Sequence, residues 1–135
     1  MLHLGNNDWM VVDSCLTSKR EPAALSYLRS LGVNPTTVVK VIVSSHWHDD
    51  HIRGISEVFR SCPSALFVCS AAMGRDEFLE MTKVRKKGMM MESSGVDELN
   101  VILNVIEQRD QTGASVKLKY ALADRPIWQR SGSIQ

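Results

Sequence analysis

The chain has 135 residues, of which 16 are basic and 15 acidic, so its formal net charge is only +1. A charge this close to zero gives no strong signal for broad electrostatic capture of nucleic acid. The basic run at 83–87 most simply predicts a solvated helix end, with phosphate binding as the alternative. We also expect no association with membranes, because no apolar run is long enough to span one and the amino terminus does not look like a signal peptide. The length is sufficient for one domain with a hydrophobic core.

The cysteine content indicates a compartment. Cys15, Cys62 and Cys69 are odd in number and lie in apolar segments, which is typical of reduced thiols in a protein core. We therefore expect a cytoplasmic protein without disulfides.

The first third of the chain alternates predicted strands with a predicted helix. Residues 8–13 are predicted as a strand. Pro22 suits the first turn of the helix that follows, and Gly32 suits its end. A nearly continuous β-branched run at 38–43 then predicts a strand that is buried on both faces. The helix is expected to bury three leucines: Leu25, Leu28 and Leu31.

Residues 45–51, with the sequence Ser-His-Trp-His-Asp-Asp-His, hold three of the four histidines of the chain. Imidazole and carboxylate groups bind zinc and similar divalent metals. In an extended segment alternate residues project to the same side, so His46 and His48 can reach a common ion. Asp50 and His51 follow, and they can complete that site or bind a second ion. The alternative is a histidine-rich polar loop, or a solvated helix start, that binds no metal.

A helix is predicted directly after this segment. Apolar residues recur at helical spacing from about Asp50 to Arg60, and residues 65–69 form another predicted strand. The order strand, helix, strand, helix, strand implies parallel neighbours with right-handed crossovers. The potential metal ligands of residues 45–51 therefore lie at the carboxyl end of a buried strand, where open α/β sheets bind their ligands.

Four further elements are predicted after residue 72: a helix at 76–87, a loop at 88–95, a helix from there to about Gln108, and a strand at 116–120. The apolar stripe of the later helix can face the core of this chain, a missing half or a partner. Residues 123–135 show no apolar period, so we expect a folded unit at 1–122 followed by a frayed tail. The stripe consists of Leu99, Ile102, Leu103 and Ile106.

The histidine-rich segment resembles the His-x-His-x-Asp-His signature of the metallo-β-lactamase superfamily of metallohydrolases. All four named positions match, at His46, His48, Asp50 and His51, and a glycine that commonly follows the signature matches Gly54. Upstream, Asp13 at the end of the first long strand is similar to the family aspartate that supports the metal-binding loop. The resemblance covers roughly residues 2–72, and it is far more specific for the superfamily than for a substrate.

The resemblance implies a fold, a cofactor and a role for each residue. The fold would be α/β, an αββα sandwich with a mixed sheet flanked by helices. His46 and His48 would bind a first zinc ion, and Asp50 and His51 a second; manganese or iron would also suit these ligands. Asp50 would act in catalysis by handling the proton of the attacking water, and Asp13 would support the loop.

No histidine follows His51 in this sequence, although a complete family member supplies further histidines and a bridging aspartate. We expect an incomplete site, since catalytic zinc sites keep about three protein ligands per ion. We also expect only the amino-terminal part of the sandwich, with an apolar face that favours self-association or contact with a missing carboxyl-terminal half. Two functions stay open: a hydrolase that cleaves a small-molecule ester, amide or thioester or a phosphodiester, and a non-catalytic remnant that binds a metal or a partner.

Overall fold

The computed structural model describes residues 1–46, 48–70, 94–113 and 118–130, without the side chains of residues 94 and 96. Its strands form one mixed sheet in the order β1-β2-β3-β4-β5. β1 pairs antiparallel with β2, and β2 to β5 are parallel neighbours. The strands are β1 (Leu2–His3), β2 (Trp9–Val12), β3 (Val39–Ser44), β4 (Leu66–Ser70) and β5 (Leu118–Ala121).

Helices lie between these strands, and their apolar residues share one core with one face of the sheet. The rings of Phe59 and Phe67 meet edge to face there, with centroids 5.2 Å apart. The predicted α/β class, a mixed sheet flanked by helices, is therefore confirmed. The helices are α1 (Ala23–Ser30), α2 (Pro35–Val38), α3 (Asp49–Ile52), α4 (Ile55–Ser61) and α5 (Ser94–Gln111). In the described ranges, no helix is long and apolar enough to cross a membrane.

The opposite face of the sheet carries a second, smaller core. Met10, Val41 and Val68 are buried there, because alternate residues of a strand point to opposite faces. Ile127 and Trp128, from the segment after β5, pack against them. The apolar face that we expected to be exposed is thus partly covered by residues of this chain.

Residues 123–130 are the described part of the segment that we expected to be a frayed tail. Arg130 donates hydrogen bonds to the carbonyl oxygens of Leu4 and Gly5, at 3.2 and 2.9 Å, and to the carboxylate of Asp8 at 3.1 Å. Its guanidinium also lies 5.7 Å from the ring of Trp128. Although it forms no helix or strand, the segment up to Arg130 is held against the β1–β2 turn.

Two predicted details of the helices were wrong. Leu31 follows the last residue of α1 and is half exposed, because the helix ends there and Gly32 adopts a left-handed φ of +71°. The single helix predicted from Asp50 to Arg60 is two helices, α3 and α4. They are separated by Gly54, whose φ of +79° cannot continue a helix.

The later elements agree with the sequence where the structure describes them. The apolar stripe of α5 packs against the core of this chain, with Leu99 and Ile102 buried. The strand expected at 116–120 appears as β5, although residues 116–117 lie outside the described residues. The predicted helix at 76–87 and most of the predicted loop at 88–95 also lie outside them.

Two of the three cysteines are in the core, as expected. Cys62 and Cys69 are buried, and burial raises the pKa of each thiol to about 11. Cys15, which we also expected in the core, is exposed beside the end of β2. All three, each within the described residues, are free thiols.

Candidate metal centre

The centre begins where two parallel strands end. The backbone N–H of Asp13, just after β2, donates to the carbonyl oxygen of Val43 in β3 at 2.8 Å. This pairing places the Asp13 side chain beside Ser45, which follows β3. Oδ1 of Asp13 accepts the Ser45 N–H at 2.8 Å, and Oδ2 accepts the Ser45 hydroxyl at 2.7 Å.

Asp13 has an unusual backbone, with a left-handed φ of +56°. For a residue with a side chain this conformation costs about 1–2 kcal/mol. Asp and Asn adopt it more readily than most residues because their short polar side chains can hydrogen-bond locally. Here the two hydrogen bonds to Ser45 offset that cost. The strained residue lies where the ends of β2 and β3 are joined.

His51 is the second group that Asp13 holds. Nδ1 of His51 lies 3.0 Å from Oδ2 of Asp13. The backbone of Ser14 donates to the His51 carbonyl at 2.7 Å, and the His51 N–H donates to the carbonyl of His48 at 2.9 Å. Asp13 thus contacts both ends of the 45–51 segment, Ser45 at its start and His51 at its end.

The carboxylate of Asp13 is stabilised in its charged form. Burial alone would raise its pKa, but hydrogen bonds from the Ser45 backbone and hydroxyl, together with the hydrogen bond and charge of His51, lower the pKa below its ordinary value. Asp13 is therefore ionised at neutral pH and can only accept hydrogen bonds.

These contacts determine which ring nitrogens remain for a metal. Because the Asp13 carboxylate only accepts, Nδ1 of His51 must carry the proton. Ser45 gives its single hydroxyl proton to Asp13, so Nδ1 of His46, 2.8 Å from that hydroxyl, must also be the donor. In a neutral imidazole the other nitrogen then has a free lone pair, so Nε2 of both rings can bind a metal.

Among the described residues, one group of side chains is placed so that it could hold a metal ion: Asp13, His46 and His51. One potential ligand atom from each lies within 4.8 Å of the others, and all three side chains are half-buried. The rings of His46 and His51 are adjacent, with centroids 3.8 Å apart. Both Asp13 oxygens already accept hydrogen bonds, an arrangement that suits an orienting residue better than a ligand.

His48 and Asp50 lie at the exposed rim of this group. The His48 ring meets the His46 ring edge-on at 5.2 Å, and Oδ2 of Asp50 lies 3.4 Å from Nε2 of His51. The Asp50 side chain is 78% exposed. The structure thus places all four signature residues in one neighbourhood, with His46 and His51 as its half-buried pair and His48 and Asp50 exposed. The ligand role of each residue stays a prediction.

Two residues outside the signature, His3 and Ser45, also make defined contacts. His3, on β1, packs its ring against Trp9 of β2, with centroids 4.7 Å apart. Ser45 was given no role by the sequence reasoning, yet it connects Asp13 to His46. The only available signal was a hydroxyl residue between a buried strand and the first histidine.

A family model described as the metallo-beta-lactamase superfamily matches residues 1–120 of this chain. The chain belongs to the metallo-beta-lactamase superfamily. Its single sheet with helices on one face corresponds to part of that fold, as predicted. No curated protein sequence matches the chain.

A solved structure, the hydrolase AbOPH of the beta lactamase superfamily, is similar to this superfamily member. The two are 18% identical with a TM-score of 0.48, and the match covers 91% of this chain and 42% of that one. The chain therefore spans less than half the length of this solved relative.

Proposed function

We propose that the chain is a metal-dependent hydrolase of the metallo-β-lactamase superfamily, or the amino-terminal part of one, with its site at His46, His48, Asp50 and His51. The observation that carries the proposal is the pair of adjacent imidazoles whose Nδ1 atoms already have protein partners. Such second contacts fix the orientation and tautomer of metal-binding histidines. A histidine-rich loop without a metal has no need of them.

The donor chemistry fits a divalent metal. His46 and His48 would hold a first ion and Asp50 and His51 a second, with zinc the best match to nitrogen and carboxylate oxygen ligands; manganese and iron accept the same set. When bound, the metal polarises a scissile carbonyl or phosphoryl oxygen and makes hydroxide available near neutral pH.

The residues of the chain would contribute orientation and proton transfer. Asp13 and Ser45 keep the imidazoles of His51 and His46 in the tautomer that leaves Nε2 free. The exposed Asp50 carboxylate, 3.4 Å from His51, can accept the proton released as water attacks. We propose an ester, amide, thioester or phosphodiester as the substrate, and the free thiols support a reducing, cytoplasmic setting.

One observation favours a second candidate, a non-catalytic protein that binds a metal. The sequence has no histidine after His51, so the four signature residues would serve two ions with few ligands each. In this case the centre would bind zinc weakly and hydrolyse nothing.

Zinc loading followed by hydrolysis assays separates the two candidates. We would load the metal-free chain with zinc, measure metal per chain by elemental mass spectrometry, and assay p-nitrophenyl acetate and bis(p-nitrophenyl) phosphate. Asp50→Asn should reduce a zinc-dependent rate by about a hundredfold or more, while the matched control Asp110→Asn, at an exposed position on α5, should not. Zinc binding without hydrolysis would favour the non-catalytic candidate, and failure to bind zinc would contradict both.

A further inference from the structure

The amino terminus of α4 is capped by a side chain from a distant part of the sequence. The first N–H groups of a helix have no partner within the helix, and Gly54, which precedes α4, has no side chain to supply one. Glu98 of α5 fills this gap with both carboxylate oxygens. Oε1 accepts the Gly54 N–H at 2.8 Å, and Oε2 accepts the Ser56 N–H at 2.9 Å.

The same helix α5 also contacts the other end of α4. Arg109 donates to the carbonyl oxygens of Phe59 at 3.0 Å and Pro63 at 3.4 Å, and its guanidinium lies 4.4 Å over the Phe59 ring. An acidic residue thus lies at the amino terminus of α4 and a basic residue at its carboxyl terminus, which is the favourable arrangement for the helix dipole. Of these two contacts with α4, that of Glu98 is the one next to the signature segment.

A second contact joins α5 directly to that segment. Oδ1 of Asp49, in the signature, accepts the Gly95 N–H near the start of α5 at 3.2 Å, and Oδ2 of Asp49 pairs with Arg53 at 3.0 Å. Asp49 occupies a variable position of the signature, for which the sequence predicted no role. The 48–56 segment is therefore bonded to α5 at two points, Asp49 and the Gly54–Ser56 turn.

The contacts of α5 and those of Asp13 are made to different residues of the segment. Asp13 fixes Ser45 and His51, and α3 ends at Ile52, two residues before Gly54. His51 is therefore three residues from the Gly54 N–H that donates to Glu98.

We propose that Glu98 is a positioning residue that keeps His51 in its metal-binding arrangement by fixing the Gly54–Ser56 turn. The part of this proposal that concerns metal binding rests on the proposed function. The effect of Glu98 on the Gly54–Ser56 turn and on His51 can be measured in the chain without metal.

Amide hydrogen exchange in the metal-free full chain tests this inference. In Glu98→Gln, the amides of Gly54 and Ser56 should exchange at least tenfold faster, because a glutamine offers one acceptor oxygen and no charge. The His51 and Ser14 amides, whose hydrogen bonds hold the segment, should become faster as well, while the Ile42 amide in the central strand should not change. Zinc affinity, measured by competition with a chelator, should weaken by about tenfold.

Two matched variants are the controls. Arg109→Gln removes the contact of α5 with the far end of α4, so it should leave the exchange of His51 and Ser14 and the zinc affinity unchanged. Glu107→Gln makes the same chemical change as Glu98→Gln at an exposed position of α5 and should alter nothing. Equal effects of Glu98→Gln and Arg109→Gln on His51, or no effect of Glu98→Gln on it, would overturn the proposal.

A second pair covers the case in which Glu98→Gln unfolds the chain. Ser56→Pro deletes the N–H that donates to Glu98, at the second residue of α4, where that N–H has no partner within the helix, and Ser56→Ala keeps it. Faster exchange at His51 is expected only in Ser56→Pro, and equal rates in the two variants would overturn the proposal. A wild-type chain that binds no zinc would contradict the proposed function alone, since the exchange results stand without metal.

Discussion

Of the four described glycines with a left-handed φ, Gly54 is the one where an added methyl group should cost most. Its φ of +79° is left-handed, and a Cβ atom there would lie 2.7 Å from Cδ2 of Leu16 and 3.2 Å from Cγ of Pro22. In Gly54→Ala the backbone conformation costs about 1–2 kcal/mol, and overpacking adds about 1–3 kcal/mol. Because the Leu16 atom is the end of a flexible side chain and can shift, we expect a total of about 2–4 kcal/mol.

Gly113→Ala provides the matched control for this prediction. Gly113 has nearly the same φ, +76°, but an added Cβ atom would meet nothing within 4 Å. It should therefore show the backbone cost alone, about 1–2 kcal/mol. The free energy of unfolding from urea denaturation measures both variants, and a Gly54→Ala loss no larger than that of Gly113→Ala would refute the steric argument.

Three further predictions concern the centre and the buried thiols. Asp13→Asn should weaken zinc binding by about tenfold to a hundredfold, because it removes the ionised acceptor that orients His51; an unchanged affinity in a chelator competition assay would contradict this. In the folded chain a thiol reagent at neutral pH should modify Cys15 readily and reach Cys62 and Cys69 only after unfolding, and fast labelling of all three would argue against the described core. Since burial raises the pKa of Cys62 and Cys69 from 9.0 to about 11, their contribution to stability should be fully present below pH 9 and lost as the pH rises from 9 to 11. Urea midpoints measured across that range should fall less steeply in Cys69→Ala than in the wild type.

The parts of the fold that the sequence predicted well are set by local patterns. The β-branched run that became β3 and the signature segment after it could be recognised because both depend on neighbouring residues. Asp13 was indicated by the resemblance to the superfamily, in which an aspartate ends the corresponding strand. The structure places it in contact with Ser45 and His51, and its supporting role stays a prediction.

The parts that the sequence did not predict depend on distant residues or on one backbone angle. Apolar periodicity continues across Gly54, so it gave no sign that a left-handed residue divides the helix there. The contacts of Glu98 with Gly54 and of Arg130 with Gly5 join residues 44 and 125 positions apart. Both are side-chain bonds to backbone groups, and such groups exist at every position, so no residue type marks the partner in advance.

The most direct test of the metal centre is a zinc titration of the metal-free chain, with His46→Ala and His51→Ala measured beside the wild type. We predict that the wild type binds at least one zinc ion per chain and that each substitution abolishes this binding or weakens it at least tenfold. Wild-type binding that survives both substitutions, or no binding by the wild type at all, would contradict the assignment of the signature segment as a metal site.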